Sequence, residues 1–300
     1  MVWRSVMISR PARLRREHYS LAIDQEETAF VPFEDIAVIV LDHREITLTH
    51  AVLSACAEYG IGLYATGSNH QPAGVFLPFL SHSRTTRMLR KQLGITRPRA
   101  KQAWASIVRR KIENQAVCLR LCGKSGTDRL ASYARRVRSG DPDNLEAQTA
   151  VFYFARLFGA NFTRTDACWT NAALDYGYAV LRGAITRNLV AHGLHPSIGL
   201  FHDSEQNAFN LADDLIEPFR PLVDLHVVKH EGLIKSELIP ADKRALVALL
   251  NVDVAMPQGR MSVLSAIEYA VESLVRVYES GTAALDLPVL IGLQAHRLEY

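Results

Sequence analysis

The chain has 300 residues, of which 48% are hydrophobic and 22% are charged, a composition typical of globular proteins and a length that suits two domains. The sequence contains no run of about 18 apolar residues, which argues against a membrane span, and its basic N-terminus lacks the apolar stretch of a secretory signal. The four cysteines match neither a zinc-ribbon spacing nor a disulfide framework, so we expect reduced thiols in a cytoplasmic protein.

Residues 1–75 are predicted to form a β-rich N-terminal domain. Short β-branched or aromatic segments separated by polar turns predict strands in "VMIS", "YSLAI", "TAFVPF", "IAVIVLD" and "IGLYATG". The segment "HREITLTHAVLSACAEYG" predicts one helix that ends near Gly60. The proline and glycine residues of "SNHQPAGVFLPF" predict a linker, which we place at 76–82.

From Ser83 onwards the apolar residues follow a helical period of about 3.6. Amphipathic helices are predicted in "SRTTRMLRKQLGI", "PRAKQAWASIVRRKIENQAVCLRLCG" and "TDRLASYARRVRSG". The rest of the chain has the same character, and the helices after Pro240 are expected to act as packing elements. The sequence therefore predicts an α+β protein, in which the β-rich domain is followed by a larger, all-helical C-terminal domain at 83–300.

Positive charge is concentrated between Arg84 and Arg138. This stretch holds sixteen Lys or Arg residues and two acids, a net charge of +14, and since the whole chain carries +3, the remainder carries −11. Twelve of the sixteen are arginines, and the guanidinium group suits bidentate contacts with phosphate. Solvated helix faces would give a similar pattern, but the asymmetry favours a polyanionic partner such as a nucleic acid.

The segment "NAFNLADDLIEPFRP", residues 207–221, combines three acids with an apolar face. On a helix with about 100° between residues, Asp213, Asp214 and Glu217 project from one side and the apolar residues from the other. A solvated surface helix would show the same arrangement. Pro218 sets this segment apart, because its ring crowds the carbonyl four residues back, so we expect a helix end or kink that fixes the position of Glu217.

Two further residues complete a candidate metal site. His202 lies shortly before this helix, and a neutral imidazole beside carboxylates is a common ligand set for a divalent ion. Glu146 starts another predicted helix, where it would serve equally well as a capping residue with Asp143 at the N-cap. Glu146, His202 and Glu217 together would suit Mg²⁺ or Mn²⁺ with positions open for water and phosphate. Such an ion activates a nucleophile towards phosphodiesters, which predicts a metal-dependent nuclease.

Three stretches of the sequence resemble the CRISPR-associated protein 1 family, the integrases that insert new spacers into a CRISPR array. They are "HQPAGVFLPFLSHSRTTRMLRKQL", "GDPDNLEAQTAVFYFARLFG" and "NAALDYGYAVLRGAITRNLVAHGLHPSIGLFHDSEQNAFNLADDLIEPFRPLVD". The segments "MVWRSVMIS" and "KIENQAVCL" are similar to the branch found with type II systems. The resemblance extends over nearly the whole chain.

This resemblance implies the roles of the site residues. Matched position by position, Glu146, His202 and Glu217 are the catalytic metal ligands, and Asp214 lies beside them as support. The family's reaction is a transesterification, in which the 3′-hydroxyl of incoming DNA attacks a phosphodiester at the repeat boundary. The resemblance also implies a homodimer formed through the N-terminal domains, a complex with the small CRISPR-associated protein 2, and binding of a protospacer duplex and the CRISPR repeat.

The basic stretch supplies candidate DNA contacts. Residues three, four or seven apart share a helix face, and on that basis we expect phosphate contacts from Arg84, Arg87, Arg109, Arg110 and Lys111, with an affinity that falls steeply with salt. Two alternatives to the integrase remain open. A branched-DNA repair endonuclease would use the same ligands, and a DNA-binding scaffold without chemistry would leave the acids solvated.

Overall fold

The computed structural model has a β-rich N-terminal part followed by a mostly helical part, which confirms the predicted α+β class. It describes residues 4–67, 72–78, 82–231, 237–280 and 284–296.

Two four-stranded sheets form the N-terminal part of the described chain. Their strands are β1 (Arg4–Ile8), β2 (Ala12–Glu17), β3 (Ser20–Asp24), β4 (Thr28–Pro32), β5 (Ile36–Leu41), β6 (Ile46–Leu48), β7 (Gly62–Thr66) and β8 (Pro72–Phe76). The first sheet has the order β1-β5-β7-β8, with β8 antiparallel to β7 and the other pairs parallel. The second has the order β4-β3-β2-β6, in which β2 and β6 are parallel. The unbroken apolar run of β5 is buried on both of its faces, as expected of a central strand in a largely parallel sheet.

Two N-terminal predictions were wrong in part. The predicted helix from His43 to Gly60 is shorter, because β6 occupies its first half and helix α1 covers only His50–Glu58. The β-branched Ile46 and Thr47 favour an extended backbone, and β6 pairs with β2. The predicted linker segment contains β8, which pairs with β7. Positions 79–81 of the linker at 76–82 lie outside the described residues, and the division into domains stays a prediction.

Helices dominate the remainder of the described chain. They are α2 (Thr85–Leu93), α3 (Arg97–Leu121), α4 (Thr127–Arg136), α5 (Leu145–Phe158), α6 (Trp169–Ala191), α7 (Asn210–Ile216), α8 (Arg220–His230), α9 (Pro240–Ala248) and α10 (Val263–Ser280). The expectation of an all-helical region needs one correction, because β9 (Asp253–Met256) and β10 (Gly259–Ser262) form an antiparallel hairpin. Gly259 adopts a φ of 128° at its turn, a conformation that favours glycine. Each helix that the structure describes is too short or too polar to cross a membrane.

Helix α6 lies at the centre of the fold and connects the two parts. Most of its residues are buried, and it packs against α7, α8, α9 and α10. The first sheet contacts it closely, since a Cβ atom on Gly183 would lie 2.8 Å from the Tyr64 ring, and the Tyr64 hydroxyl donates to the Gly183 carbonyl. Arg187 adds a bond to the Gly60 carbonyl at 2.6 Å. These contacts place α6 between the first sheet and the helices α7 and α8, which flank Glu217.

Candidate active site

Glu217 occupies the junction between two helices. Helix α7 ends at Ile216, Pro218 follows Glu217, and α8 begins at Arg220, so the helix breaks where the proline predicted it. The Pro218 carbonyl, which lies in this junction, accepts a hydrogen bond from Asn114 of α3 at 2.7 Å. Glu217 is 5% exposed. The junction therefore holds a carboxylate inside the protein, where a solvated surface helix would have turned it outwards.

Asp214 organises the loop that carries His202. It is fully buried and accepts backbone hydrogen bonds from Leu200 at 2.5 Å and from Phe201 and His202 at 3.1 Å each. Its Oδ1 also lies 2.8 Å from His202 Nδ1, and since a carboxylate only accepts, Nδ1 carries the proton. The loop comes close enough at Gly199 that a Cβ atom there would lie 2.2 Å from the His202 carbonyl oxygen. Asp214 thus fixes the orientation of the imidazole and leaves Nε2 as the ring nitrogen without a proton.

Asp214 affects the charge of the His202 imidazole, and two aromatic rings border it. The hydrogen bond to Asp214 raises the pKa of His202, although partial burial opposes the rise. The ring stands edge-on to Trp104 and to Phe201, at centroid distances of 5.6 and 5.7 Å. Phe201 in turn stacks face to face on Trp104 at 4.4 Å and is 53% exposed. The buried Trp104 and the exposed Phe201 therefore both border the His202 ring.

The helix that carries Glu146 is capped by another residue, Asp141. The alternative in which Asp143 caps α5 together with Glu146 is wrong: the Oδ atoms of Asp141 accept the backbone N–H groups of Leu145 and Glu146, both at 2.9 Å. Asp143 instead pairs with Arg138 at 2.9 Å. Asp141 satisfies the unpaired donors of the first turn, so the Glu146 side chain can point to α3.

Lys111 joins the two glutamates. Its ammonium group contacts carboxylate oxygens of both Glu146 and Glu217, and the residue is 5% exposed. Arg220 pairs with the other oxygen of Glu217 at 2.9 Å. This position corrects the prediction that Lys111 contacts a DNA phosphate, because a buried ammonium between two carboxylates is not presented to a ligand on the surface.

These cations determine the ionisation of Glu217. Burial alone would raise its pKa, but the charges of Arg220 and Lys111 outweigh burial and lower the pKa to about 2. Glu217 therefore carries its negative charge across the physiological pH range. Its Oε2 atom is buried and accepts no well-aligned hydrogen bond from the residues that the structure describes, so the ion pair with Lys111 is the contact that compensates it.

The donor set fits a divalent cation, although its members are not yet arranged as a ligand cage. The carboxylates of Glu146 and Glu217 converge on one ammonium group, and the imidazole of His202, held through its Nδ1, lies on the neighbouring loop. Oxygen and imidazole donors of this kind suit Mg²⁺ or Mn²⁺. Within the described ranges, however, no three His, Cys, Asp or Glu side chains are close enough to hold a metal ion, and Lys111 contacts both carboxylates.

A buried polar network behind Arg220 was not predicted from the sequence. The Arg220 guanidinium lies 4.5 Å from the centroid of the Tyr178 ring, and the Tyr178 hydroxyl donates to Asp224. Tyr153 donates to the same carboxylate at 2.9 Å. Asp224 is 2% exposed. Through Tyr178 and Arg220, Asp224 supports the position of Glu217.

Asp224 should make the stability of the protein depend on pH. Burial raises its pKa to about 6, against the opposing effect of the bonds from Tyr178 and Tyr153 and the charges of Arg220 and Lys111. Because the folded pKa lies above the unfolded value, the folded state binds this proton more tightly, and the stabilisation present below about pH 4 is lost as the pH rises through 6. The free energy of unfolding of the wild type should therefore fall by roughly 3 kcal/mol between pH 4 and 7 because of this group. We expect this fall to be absent in Asp224→Asn.

Urea unfolding of the wild type and of Asp224→Asn across this range measures the difference. Asp175→Asn, a change on α6 that removes an exposed carboxylate, is the control. Parallel pH profiles for the wild type and Asp224→Asn would contradict the assignment.

The arginines predicted to contact DNA differ in their exposure and in the contacts they already make within the protein. Arg84 and Arg87 are exposed, and Arg87 forms a long ion pair with Glu279, at 3.7 Å. Arg109 is half-buried and donates to a backbone carbonyl at 3.0 Å. Arg110 is also half-buried and pairs with the acid three residues on at 3.0 Å. Of these four, Arg84 and Arg87 are best placed to meet a phosphate, and their role stays a prediction.

The chain is similar to known proteins over its full length. The family model described as "CRISPR associated protein Cas1" matches residues 6–153 and 164–243. The CRISPR-associated endonuclease Cas1 of Neisseria meningitidis serogroup C (strain 8013) is 42% identical over 307 residues, with 100% of both chains covered.

Solved structures share the fold at lower identity. A casposase bound to integration product has a TM-score of 0.76 at 18% identity, covering 95% of this chain and 93% of the casposase. A chain of a partial Cas6-RT-Cas1–Cas2 complex has a TM-score of 0.64 at 16% identity, covering 97% of this chain and 99% of that one. A Cas1–DNA complex has a TM-score of 0.57 at 16% identity, with 92% of each chain covered. The family match and the full-length relative show that the chain belongs to the CRISPR-associated protein Cas1 family.

Proposed function

We propose that this chain is a divalent-metal-dependent DNA integrase and endonuclease of CRISPR adaptation, which inserts short DNA into the CRISPR array by attack of a 3′-hydroxyl on a phosphodiester. One observation carries the proposal: the carboxylates of Glu146 and Glu217 converge on one point, near a histidine that a buried aspartate holds in one orientation. The full-length relative named as an endonuclease supports the assignment to a nuclease enzyme. A non-catalytic scaffold would need solvated acids, whereas Asp214 and Glu217 are buried.

The chain's own residues would prepare the site for this reaction. Glu146, Glu217 and Nε2 of His202 would hold Mg²⁺ or Mn²⁺, and a bound ion of this kind polarises a phosphate oxygen and activates a hydroxyl nucleophile. Asp214 keeps the His202 proton on Nδ1, so that Nε2 can bind as a neutral donor. Arg220 keeps Glu217 ionised and in place. The rate enhancement would come mainly from this positioning and from charge stabilisation.

The proposed partners are DNA, a second copy of the chain and the small CRISPR-associated protein 2. The related Cas1 structures include a complex with DNA and a complex with Cas2, and the casposase carries integration product. The net charge of +14 between Arg84 and Arg138 supports binding of a polyanion. We propose a homodimer through the N-terminal domain on the family resemblance.

Arg84 and Arg87 should contribute to DNA binding through phosphate contacts. We expect the double variant Arg84→Ala, Arg87→Ala to bind duplex DNA more weakly at low salt, and to lower the slope of log K against log salt by about 2, since each phosphate contact contributes roughly 0.9. Fluorescence anisotropy over a salt series measures this slope. The control is Arg260→Ala, which removes an exposed arginine of the β9–β10 hairpin. A slope equal to that of the wild type would remove both arginines from the interface.

The activity itself is tested by strand transfer. The wild-type chain, the small partner protein and a short duplex with free 3′-hydroxyls would be incubated with a plasmid that carries the repeat. Joined product with Mg²⁺ or Mn²⁺, absent with EDTA, would support the proposal. Cleavage of branched DNA without any joining would instead favour the repair endonuclease.

A further inference from the structure

Lys111 is buried, although it belongs to the basic stretch between Arg84 and Arg138. It lies on α3, which passes beneath both α5 and the α7–α8 junction, and its ammonium contacts carboxylate oxygens of Glu146 and Glu217. Its side chain is 7% exposed, and that of Glu217 is equally buried. The lysine therefore occupies the point on which the two proposed metal ligands converge.

The charges of this cluster show what the ammonium does. Two carboxylates that approach one point repel each other, and a buried charge without a partner is strongly unfavourable. Arg220 compensates one oxygen of Glu217, while Lys111 compensates the other oxygen and, at the same time, Glu146. Without a cation at this point, the two carboxylates would repel each other and separate.

A divalent ion at the same point would conflict with the ammonium. Mg²⁺, for example, needs its oxygen ligands at about 2.0–2.1 Å, and Lys111 already contacts one oxygen on each glutamate. Two cations that share these oxygens would repel each other. The lysine has a flexible four-carbon stem, so its ammonium can move away while the stem stays packed in α3.

We propose that Lys111 is an internal counter-ion, which holds Glu146 and Glu217 in place before metal enters and is displaced from them when metal binds. This inference rests on the metal site of the proposed function. Lys111 acts as a positioning residue, and it has two opposite effects. It stabilises the metal-free fold, and it weakens the affinity for metal because each binding event must displace it.

The size of the second effect follows from the population of the displaced state. If Lys111 leaves the carboxylates in at most about 10% of molecules, the apparent Kd is at least about tenfold weaker than that of the open site. Lys111→Met has a similar length and no charge, so it should bind Mn²⁺ at least about tenfold more tightly than the wild type. It should also unfold at a lower temperature in EDTA, because the glutamates lose their counter-ion, and gain more thermal stability from saturating Mn²⁺.

The experiment measures Mn²⁺ affinity and thermal unfolding without any DNA. Mn²⁺ binding to the full chain is followed by electron paramagnetic resonance of the free ion, and unfolding is followed in EDTA and in saturating Mn²⁺. Lys243→Met is the matched control, because Lys243 is another buried lysine, paired with Asp42 at 2.9 Å. This control should lower the unfolding temperature without changing Mn²⁺ affinity. Lys111→Gln is a second neutral variant, and Lys111→Arg keeps the charge and should show no gain in affinity.

Each outcome decides between the possibilities. Tighter Mn²⁺ binding by the neutral Lys111 variants, with the control unchanged, supports the counter-ion. Equal or weaker Mn²⁺ binding by these variants overturns the counter-ion role of Lys111 but leaves the proposed metal site intact. The counter-ion role is also overturned if both neutral variants fail to fold even in saturating Mn²⁺. If the wild type binds no Mn²⁺, or binds it as well after His202→Ala, the metal site of the proposed function fails, and the counter-ion role fails with it.

Discussion

Replacing Glu217 with glutamine is expected to lower the rate of DNA cleavage and strand transfer by about a thousandfold or more, with DNA affinity largely kept. Glutamine has the same shape but lacks the charge with which Glu217 would hold a divalent ion. A metal ion contributes several kcal/mol of transition-state stabilisation, and about 1.36 kcal/mol corresponds to a factor of ten in rate. Because Glu217 is 5% exposed, the substitution should change the surface met by DNA very little.

Single-turnover rates and anisotropy with the same DNA separate the two effects. The matched control is Asp213→Asn, which makes the same change of charge four residues earlier, at a half-buried carboxylate that accepts a hydrogen bond from Asn207 at 2.8 Å. It should keep its rate within a few fold. If Glu217→Gln retained wild-type rates, Glu217 would not be a ligand, and the converging glutamates would have a structural role only.

Asp214→Ala is expected to cause a large loss of stability, roughly 3 kcal/mol. The carboxylate of Asp214 accepts hydrogen bonds from three successive backbone N–H groups, at residues 200–202, and from the His202 ring. A buried donor left without a partner costs about 1–3 kcal/mol, and Phe201 is exposed enough for water to replace part of the loss. Without its partner, the imidazole would also rotate freely, which typically weakens metal affinity by about 10–100-fold.

Urea unfolding of Asp214→Ala beside Asp213→Ala tests this expectation, since the two substitutions remove adjacent carboxylates with different burial. Asp213→Ala should lose less than about 1 kcal/mol, as expected of a partly exposed polar contact. Equal losses in the two variants would show that Asp214 does not hold the loop. Retained Mn²⁺ affinity in Asp214→Ala would show that the His202 ring needs no such support.

The sequence predicted those parts of the site that depend on local rules. Pro218 breaks the helix after Ile216 wherever that helix lies in the fold. The position of Glu217 at a helix end was therefore predictable from the local sequence. Strand β5 was likewise predictable from its own residues, because a run of β-branched and apolar side chains favours an extended backbone. The short strand β6 was missed because its pairing with β2, more than thirty residues earlier, outweighs the helical pattern around it.

The partners of the site residues depend on tertiary contacts and were not predictable in this way. Lys111 belongs to a basic stretch on an amphipathic helix, and nothing in its spacing distinguishes it from the surface arginines. Its burial depends on how α3 packs beneath α5 and the α7–α8 junction. Asp224 likewise has the spacing of an ordinary helix residue, and its role follows from tyrosines 46 and 71 positions away in the chain.

Of the two roles that the sequence allowed for Glu146, the capping role was wrong, and the role as a metal ligand stays a prediction. The sequence allowed it to be either a capping residue or a ligand, and the structure assigns the cap to Asp141. Asp141 precedes the helix by four residues, beyond the usual spacing of a capping box, and it reaches the first turn because Asn144 adopts a left-handed conformation with φ of 49°. The Glu146 carboxylate is thereby left to pair with Lys111.

The central claim is that His202 takes part in metal-dependent strand transfer together with Glu146 and Glu217. The most direct test is the strand-transfer assay with Mg²⁺ or Mn²⁺ and the small partner protein, run on the wild type and on His202→Ala, with duplex binding measured in parallel. We predict joined product for the wild type and its loss in His202→Ala, with duplex binding kept. Equal product from the two chains would exclude His202 from the reaction and contradict the three-ligand site.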